Sequence, residues 1–158
     1  MVIVTLRYEF SQRFRVPAAD AFDWLTDYSP RDHALMGHEG VRKVKRISDD
    51  TIILDDTVYP EGKAIRKKKL IKTDRKRLAY YNFHLTGPTK NSLYTYSIVP
   101  EGEGKSRLDY TAYEIFETSK APTKMRLAVM AADEEVTWTR EWGLLAKAME
   151  RELRKKRS

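Results

Sequence analysis

The sequence predicts an α+β fold: a seven-stranded curved antiparallel sheet, two short helices after the first strand, and a long C-terminal amphipathic helix across the concave face. Three observations predict it. The chain begins with a long alternating strand, six further strand-like segments follow with no helix between them, and the C-terminal part has helical periodicity. A sheet and a helix that each carry one apolar face bury both faces when the helix lies on the sheet.

The first strand is predicted from Val2 to Val16. Apolar side chains occupy nearly all even positions, including Tyr8 and Phe10, whereas most odd positions are polar, which is typical of a strand with one buried face. Only Gln12 interrupts the apolar set, which suggests a bulge or a bend. Because strands usually have about 5–6 residues, this length indicates a large and strongly curved sheet.

Two short helices are predicted after the break at Pro17. The first runs from Ala18 to Asp27. In the second, Ser29 and Pro30 are expected to form the cap and the first helical position, and the helix is expected to end near Gly37.

Six strands are predicted between Val41 and Glu117. Short stretches rich in Gly, Pro, Asp, Asn and Lys separate them, which is typical of an antiparallel meander. The predicted segments are 41–47, 51–59, 63–73, 78–85, 93–99 and 107–117. With the first strand they make a sheet of seven.

The remainder, from Pro122 to Lys156, is predicted to be helical. Apolar residues recur there at spacings of four, three, four and four, namely Trp138, Trp142, Leu145, Met149 and Leu153. A second set could extend this stripe upstream: Met125, Val129, Ala132 and Val136. The helix therefore either exceeds about thirty residues or breaks near Ala131 to Asp133.

Composition and missing motifs exclude several classes of protein. With 158 residues, 41% of them hydrophobic and 34% charged, the chain is expected to form one domain over residues 1–158. The lack of Cys excludes disulfides, cysteine-ligated zinc and thiol nucleophiles, and no nucleotide-binding or serine-hydrolase motif occurs. The three histidines, His33, His38 and His84, lack the spacing of helical metal ligands, so neither a metal nor another cofactor is predicted.

Signals for membranes and export are missing as well. No segment approaches the roughly eighteen apolar residues of a membrane-spanning helix. The N-terminal segment MVIVTLRYEF alternates, whereas a secretory signal has a continuous apolar core. A cytoplasmic location is therefore expected.

Two segments resemble a known superfamily. RFRVPAADAFDWLTDY (13–28) is similar to the opening of the SRPBCC or START-like helix-grip superfamily, and YSIVPEGEGKSRLDYTAYEIF (96–116) resembles its sixth strand, Gly-rich turn and seventh strand. That superfamily includes START lipid-transfer domains, polyketide cyclases and aromatases, coenzyme-Q-binding proteins and birch-pollen-allergen proteins. The resemblance extends over the whole chain in element order. It implies a pocket between sheet and C-terminal helix that holds an apolar or amphipathic small molecule.

The residues themselves favour such a pocket. Buried tyrosines offer apolar walls with polar hydroxyl groups, as small-molecule sites do, although the same tyrosines could simply fill the core. The candidate ligand-binding residues are Tyr8, Phe10, Asp56, Arg66, His84, Tyr94, Tyr96, Tyr110, Glu114, Trp138 and Trp142.

Asp56 and Arg66 are predicted to form a cross-strand pair. If 60–62 is a three-residue hairpin loop, the two residues lie opposite one another, whereas a loop one residue shorter places Asp55 opposite Arg66. At the rim of a cavity such a pair could orient a substrate or shift a pKa. On the outer face it would be an ordinary surface ion pair.

The segment from Lys63 to Arg77 holds nine basic residues and one acidic residue, Asp74. A solvated strand face explains this charge best, but cations that turn toward the cavity mouth could bind an anionic group of a ligand. Nucleic acid is not the expected partner, because no aromatic residues interleave with the cations to stack on bases.

Three functions follow from these patterns. The first is binding or transport of a hydrophobic or amphipathic small molecule, such as a lipid, an isoprenoid or a polyketide-like compound. The second is a cyclase or dehydratase acting on a polyketide-like substrate in the same cavity, with proton-transfer groups drawn from Asp56, Arg66, His84, Tyr110 and Glu114. The third is a basic adaptor that binds nucleic acid through 63–77.

Overall fold

The computed structural model describes residues 1–157. Its elements are β1 (Val2–Phe14), α1 (Ala18–Leu25), α2 (Asp32–Leu35), β2 (Gly40–Ser48), β3 (Thr51–Val58), β4 (Ile65–Asp74), β5 (Ala79–His84), β6 (Leu93–Pro100), β7 (Ser106–Thr118) and α3 (Lys124–Arg157). A single 3-10 turn, Pro60–Gly62, lies between β3 and β4. The predicted α+β fold, with two short helices and a long C-terminal helix, is confirmed.

All strands belong to one antiparallel sheet with the spatial order β1-β7-β6-β5-β4-β3-β2. The first strand therefore pairs with the last, and its register runs without interruption from Val2 opposite Thr118 to Phe14 opposite Ser106. The bulge considered at Gln12 does not occur. A register shift lies instead between Arg46 and Ser48, where β2 pairs with β3.

The helix α3 is continuous over 34 residues, so the alternative of a break near Ala131 is wrong. The downstream stripe is confirmed, with Trp142, Leu145 and Met149 buried against the sheet. No helix within residues 1–157 is long and apolar enough to cross a membrane.

The upstream extension of that stripe is wrong, because Met125, Val129 and Val136 are 79%, 45% and 72% exposed. Leu127, Met130 and Ala131 pack inward in their place. The cause is helical geometry: Val136 precedes Trp138 by two residues, which is about 200° around the helix, whereas a residue four positions earlier shares its face.

The core consists of two apolar clusters on the concave face. The larger contains Phe22 of α1, Ile71 of β4 and Met149 of α3, and the smaller contains Leu6, Tyr110 and Ala112 of the β1 and β7 strands. Residues of both clusters border the same cavity, which lies between α3 and the sheet.

Candidate functional site

A cavity of about 870 Å³ lies between the concave face of the sheet and α3. This volume is within the roughly 300–1,000 Å³ of ordinary small-molecule sites. Nine tyrosine and tryptophan rings line it, and six of them lie on β5, β6, β7 and α3: Tyr80, Tyr94, Tyr96, Tyr110, Trp138 and Trp142. Because strand side chains alternate between faces, the even-numbered residues of β5, β6 and β7 all project inward.

The aromatic wall is tightly packed along the sheet. The rings of Tyr80 and Tyr96 stack with their centroids 4.3 Å apart, and Tyr110 meets Tyr96 edge-on at 5.0 Å. Phe10 lies 4.6 Å from Tyr110 and 6.2 Å from Trp142, ring centroid to ring centroid. Phe10 therefore fills core space and contacts α3 directly, outside the cavity lining.

The cavity opens between the β3–β4 connection and α3. Tyr59 and Pro60 from the connection, together with Arg140 and Leu144 of the helix, line it and are exposed to solvent. Tyr59 and Leu144 place apolar surface at this mouth, with 42% and 41% of their surface exposed.

One polar group of the cavity centres on Glu114 of β7. Its Oε2 accepts hydrogen bonds from the hydroxyl groups of Tyr8, at 3.1 Å, and Tyr94, at 2.9 Å. The indole Nε1–H of Trp138 donates in turn to the Tyr8 oxygen, at 3.1 Å. Burial, and after it the charge of Glu114, raises the pKa of both phenols, so they stay protonated and remain donors.

Glu134 of α3 lines the same cavity. Burial raises its pKa, and the charge of Glu114 adds to this effect. Burial also raises the pKa of Glu141, one of the lining acids further along the helix. The inner face of α3 therefore brings protonatable carboxyl groups to the cavity, which helical periodicity alone would have indicated, since Glu134 precedes Trp138 by four residues.

The second polar group centres on Asp56 of β3, which is 1% exposed. Arg42 of β2 donates two hydrogen bonds to it, with Nε 2.9 Å from Oδ1 and Nη2 3.0 Å from Oδ2. Lys69 Nζ donates to Oδ2 at 2.8 Å, and Nε2 of His33 lies 3.6 Å from Oδ1. Nη1 of Arg42 also donates to Asp32 of α2, at 2.8 Å. These contacts tie α2, β2, β3 and β4 together.

The pKa values of the two carboxyl groups of this network are shifted in opposite directions. Burial opposes ionisation of Asp56, but the polar contacts of His33 and Arg42 and the charge of Lys69 outweigh it and hold its pKa well below the usual range. For Asp32 burial prevails over the attraction of Arg42, and its pKa is raised to about 6.

The predicted pair of Asp56 with Arg66 is wrong. In the β3–β4 register Arg66 lies opposite Thr57, and Asp56 lies opposite Lys67. A shift of one residue reverses the face on which a side chain lies, so Asp56 projects into the core while Arg66, 70% exposed, donates to Asp55 on the outer face. Arg66 is therefore not part of the cavity.

His84 of β5 lines the cavity near Lys67 and Lys69. Its Nδ1 lies 2.7 Å from Oγ1 of Thr89, and its ring lies 4.7 Å from that of Tyr94. Burial, reinforced by the charges of Lys69 and Lys67, lowers the pKa of His84 to about 3. The imidazole is therefore neutral at physiological pH.

The structure brings most of the sequence-predicted residues to one place. Seven line the cavity: His84, Tyr94, Tyr96, Tyr110, Glu114, Trp138 and Trp142. Tyr8, Phe10 and Asp56 are packed behind the lining, in contact with it, and Arg66 lies outside. Among the lining residues that sequence reasoning missed are Arg42, Lys67, Lys69, Asn82 and Glu134. The alternation of β5 signalled Asn82, which shares a face with His84.

The basic segment 63–77 is largely compensated. Five of its nine cations form ion pairs: Arg66, Lys69, Lys72, Arg75 and Arg77. Only Lys67 and Lys69 of the segment line the cavity. The segment therefore divides between an outer surface, on which four of seven cations form ion pairs, and two cations on the inner face.

Sequence comparisons identify no relatives, since no protein-family model and no curated protein matches the chain. Solved structures do match it. The aromatase/cyclase Zhui from a Streptomyces species has a TM-score of 0.78 at 12% identity, with 95% of this chain and 96% of that one covered. A protein from Thermus thermophilus has a TM-score of 0.72 at 16% identity, over 90% and 96%. A START superfamily protein from Mycobacterium smegmatis has 0.65 at 13%, over 95% and 98%. The chain thus has the expected START-like helix-grip fold, and at these identities the likeness concerns the fold alone.

Proposed function

We propose that this protein binds a hydrophobic or amphipathic small molecule, such as a lipid, an isoprenoid or a polyketide-like compound, in the cavity between its sheet and α3. The observation that carries the proposal is a cavity of about 870 Å³ lined by nine tyrosine and tryptophan rings, with polar groups at defined positions. Apolar burial contributes about 25 cal/mol per Å², so aromatic walls of this kind favour a largely apolar ligand. Tyrosine and tryptophan add hydrogen-bonding atoms that orient it.

The fold supports the proposal at a general level. A START superfamily protein and an aromatase/cyclase are built on the same architecture, and fold similarity alone does not carry an activity from one protein to another. The ligand class is therefore argued from the cavity of this chain.

A cyclase- or dehydratase-type enzyme acting on a polyketide-like substrate is the second candidate. One observation favours it: Glu114 accepts both of its phenol hydrogen bonds on Oε2, while Glu134 in the same cavity has a raised pKa. Two carboxyl groups in one cavity, one of them with a raised pKa, can supply the acid and the base of a proton-transfer enzyme. Nucleic-acid binding is not proposed, because most cations of 63–77 are already in ion pairs.

Native mass spectrometry of the purified protein, followed by solvent extraction, tests the first candidate. We expect one small apolar molecule per chain, or an empty cavity that takes up N-phenyl-1-naphthylamine with a rise in probe fluorescence. Tyr96→Trp, which enlarges a ring of the cavity wall, should weaken probe binding. Tyr113→Trp is the matched control on the exposed face of β7 and should not. Failure to bind any apolar probe would refute the proposal.

The enzyme is distinguished from the binding protein by Glu114→Gln. For an enzyme, a pH-dependent turnover disappears in this variant while probe binding persists. For a binding protein, only the affinity changes and no product forms from any extracted ligand.

A further inference from the structure

We propose that the cavity selects ligands with an anionic head group, of which a carboxylate is the simplest, and holds that group at Arg42, Lys67 and Lys69. This inference rests on the proposed function, since it names the ligand class of the same cavity. It depends on how the charged N–H groups of these residues are used.

Arg42 and Lys69 have more hydrogen-bond donors than the protein satisfies. A guanidinium has five N–H groups and an ammonium has three. Arg42 uses three of them, two on Asp56 and one on Asp32, and Lys69 uses one, on Asp56. Both oxygens of Asp56 are thereby engaged. Four charged donors are left on side chains that are only 8% and 14% exposed and that line the cavity.

Buried donors require acceptors, and charged donors most of all. The acceptors must come from whatever occupies the cavity, either water or a ligand. An anionic oxygen meets this requirement best, because hydrogen bonds between two charged groups are the strongest kind. Arg42 is also held in place by its bonds to Asp56 and Asp32, so it is oriented before a ligand arrives.

The charges on this side of the cavity do not cancel. Arg42, Lys67 and Lys69 supply three positive charges, and Asp56 and Asp32 supply at most two negative ones. Lys67 lines the cavity and forms no ion pair with any residue of the described chain 1–157. Burial lowers the pKa of His84, and the charges of Lys69 and Lys67 on this side of the cavity add to the effect.

The opposite side of the cavity carries the reverse charge. Glu114 lies there on β7, three strands from β4 in the sheet, whereas Glu134 of α3 lies close enough to interact with the charges of both Glu114 and Lys67. A ligand with one anionic end is therefore expected to place that end toward β2 and β4 and its apolar body along Tyr96 and Tyr110. Recognition of the head group and orientation of the body are two results of one charge distribution.

Two fluorescent probes that share an N-phenylnaphthylamine skeleton test the inference. N-phenyl-1-naphthylamine is neutral, and 1-anilinonaphthalene-8-sulfonate adds one anionic group. We expect the wild type to bind the sulfonate at least fivefold more tightly. Lys67→Met should remove most of this preference, measured as the ratio of the two dissociation constants. Lys68→Met is the matched control, because this neighbouring cation lies exposed on the outer face of the same strand and outside the cavity.

The outcomes separate the inference from the function beneath it. If the neutral probe binds but the sulfonate binds no better, or if Lys67→Met and Lys68→Met have equal effects, the anionic head group is refuted while the binding function stands. If neither probe binds, the binding function fails and this inference with it. Displacement of the neutral probe by dodecanoate at lower concentration than dodecanol would support a carboxylate, and equal displacement would count against it. Circular dichroism verifies that each variant is folded.

Discussion

Replacing Asp56 with Asn removes the carboxylate that both Arg42 and Lys69 contact. The substitution keeps the shape of the side chain and deletes its charge. Arg42 retains its bond to Asp32, but Lys69 loses the one ion-pair partner that it has in the described structure. Two cations whose side chains are 8% and 14% exposed are then left in the protein with one carboxylate, which is partly protonated near pH 6.

Breaking a buried ion pair by removing one partner costs about 3–5 kcal/mol, because the remaining charge stays desolvated. Unfolding entropy is about 2.1 cal/mol/K per residue, or about 0.33 kcal/mol/K for a chain of 158 residues. A loss of about 3–5 kcal/mol therefore lowers Tm by about 9–15 °C. Since total stabilities are about 5–15 kcal/mol, the variant should be markedly less stable.

Thermal and urea unfolding followed by circular dichroism measure this loss. The control is Asp55→Asn, which breaks the neighbouring pair with Arg66 on the outer face and should move Tm by about 2 °C or less. The pKa of Asp56 lies below its usual range, so its stabilising contribution is present above the unfolded value near 3.9 and is lost as pH falls toward the folded value. Asp56→Asn and wild type should thus converge only in strong acid. Equal losses in the two variants at pH 7 would refute the reasoning.

Three further predictions concern stability. The pKa of Asp32 is raised to about 6, so its contribution to stability is full below the unfolded value near 3.9 and is lost as pH rises through 6. Over that interval the unfolding free energy of wild type should fall by up to about 3 kcal/mol, and that of Asp32→Asn should fall clearly less. Parallel urea profiles for the two proteins would contradict this. Gly40→Ala should lower the unfolding free energy by about 1–3 kcal/mol, because its Cβ would lie 2.6 Å from an imidazole carbon. Gly143→Ala, in open space on α3, should raise the unfolding free energy by about 0.5–1 kcal/mol. Equal thermal shifts for the two variants would be inconsistent with this packing. Met149→Ala should cost about 2–5 kcal/mol and Val136→Ala less than about 0.5 kcal/mol in chemical denaturation, and the reverse order would show that the other face of α3 is buried.

Local periodicity predicted the elements well because burial on one face imposes it. The even positions of β1 and the Trp142 to Met149 stripe of α3 are read from the sequence for this reason. The upstream half of α3 was misread because an apolar set at helical spacing, Met125 to Val136, exists on the wrong face. Glu134 occupies the inward face there, and an acid in an apolar stripe is invisible to a search for apolar residues.

The site was harder to predict because it depends on register and tertiary contacts. The connection 59–64 is longer than a three-residue loop and contains Glu61 at a φ of 52°, so the hairpin shifts by one residue relative to the predicted pairing. Because of that single shift, Asp56 lies on the inward face of the sheet and Arg66 on the outward face, instead of both on one face. Arg42 could not be singled out among the four cations of VRKVKRI, since only packing against α2 and β3 distinguishes it.

The central claim is that the cavity between sheet and α3 binds a ligand, and a titration with N-phenyl-1-naphthylamine followed in ¹H–¹⁵N spectra tests it most directly. The indole signals of Trp138 and Trp142, together with amide signals of β5, β6 and β7, should shift in parallel and saturate with one ligand per chain. Unchanged spectra, or shifts confined to exposed residues of α3 such as Lys147, Arg151 and Arg154, would contradict the account.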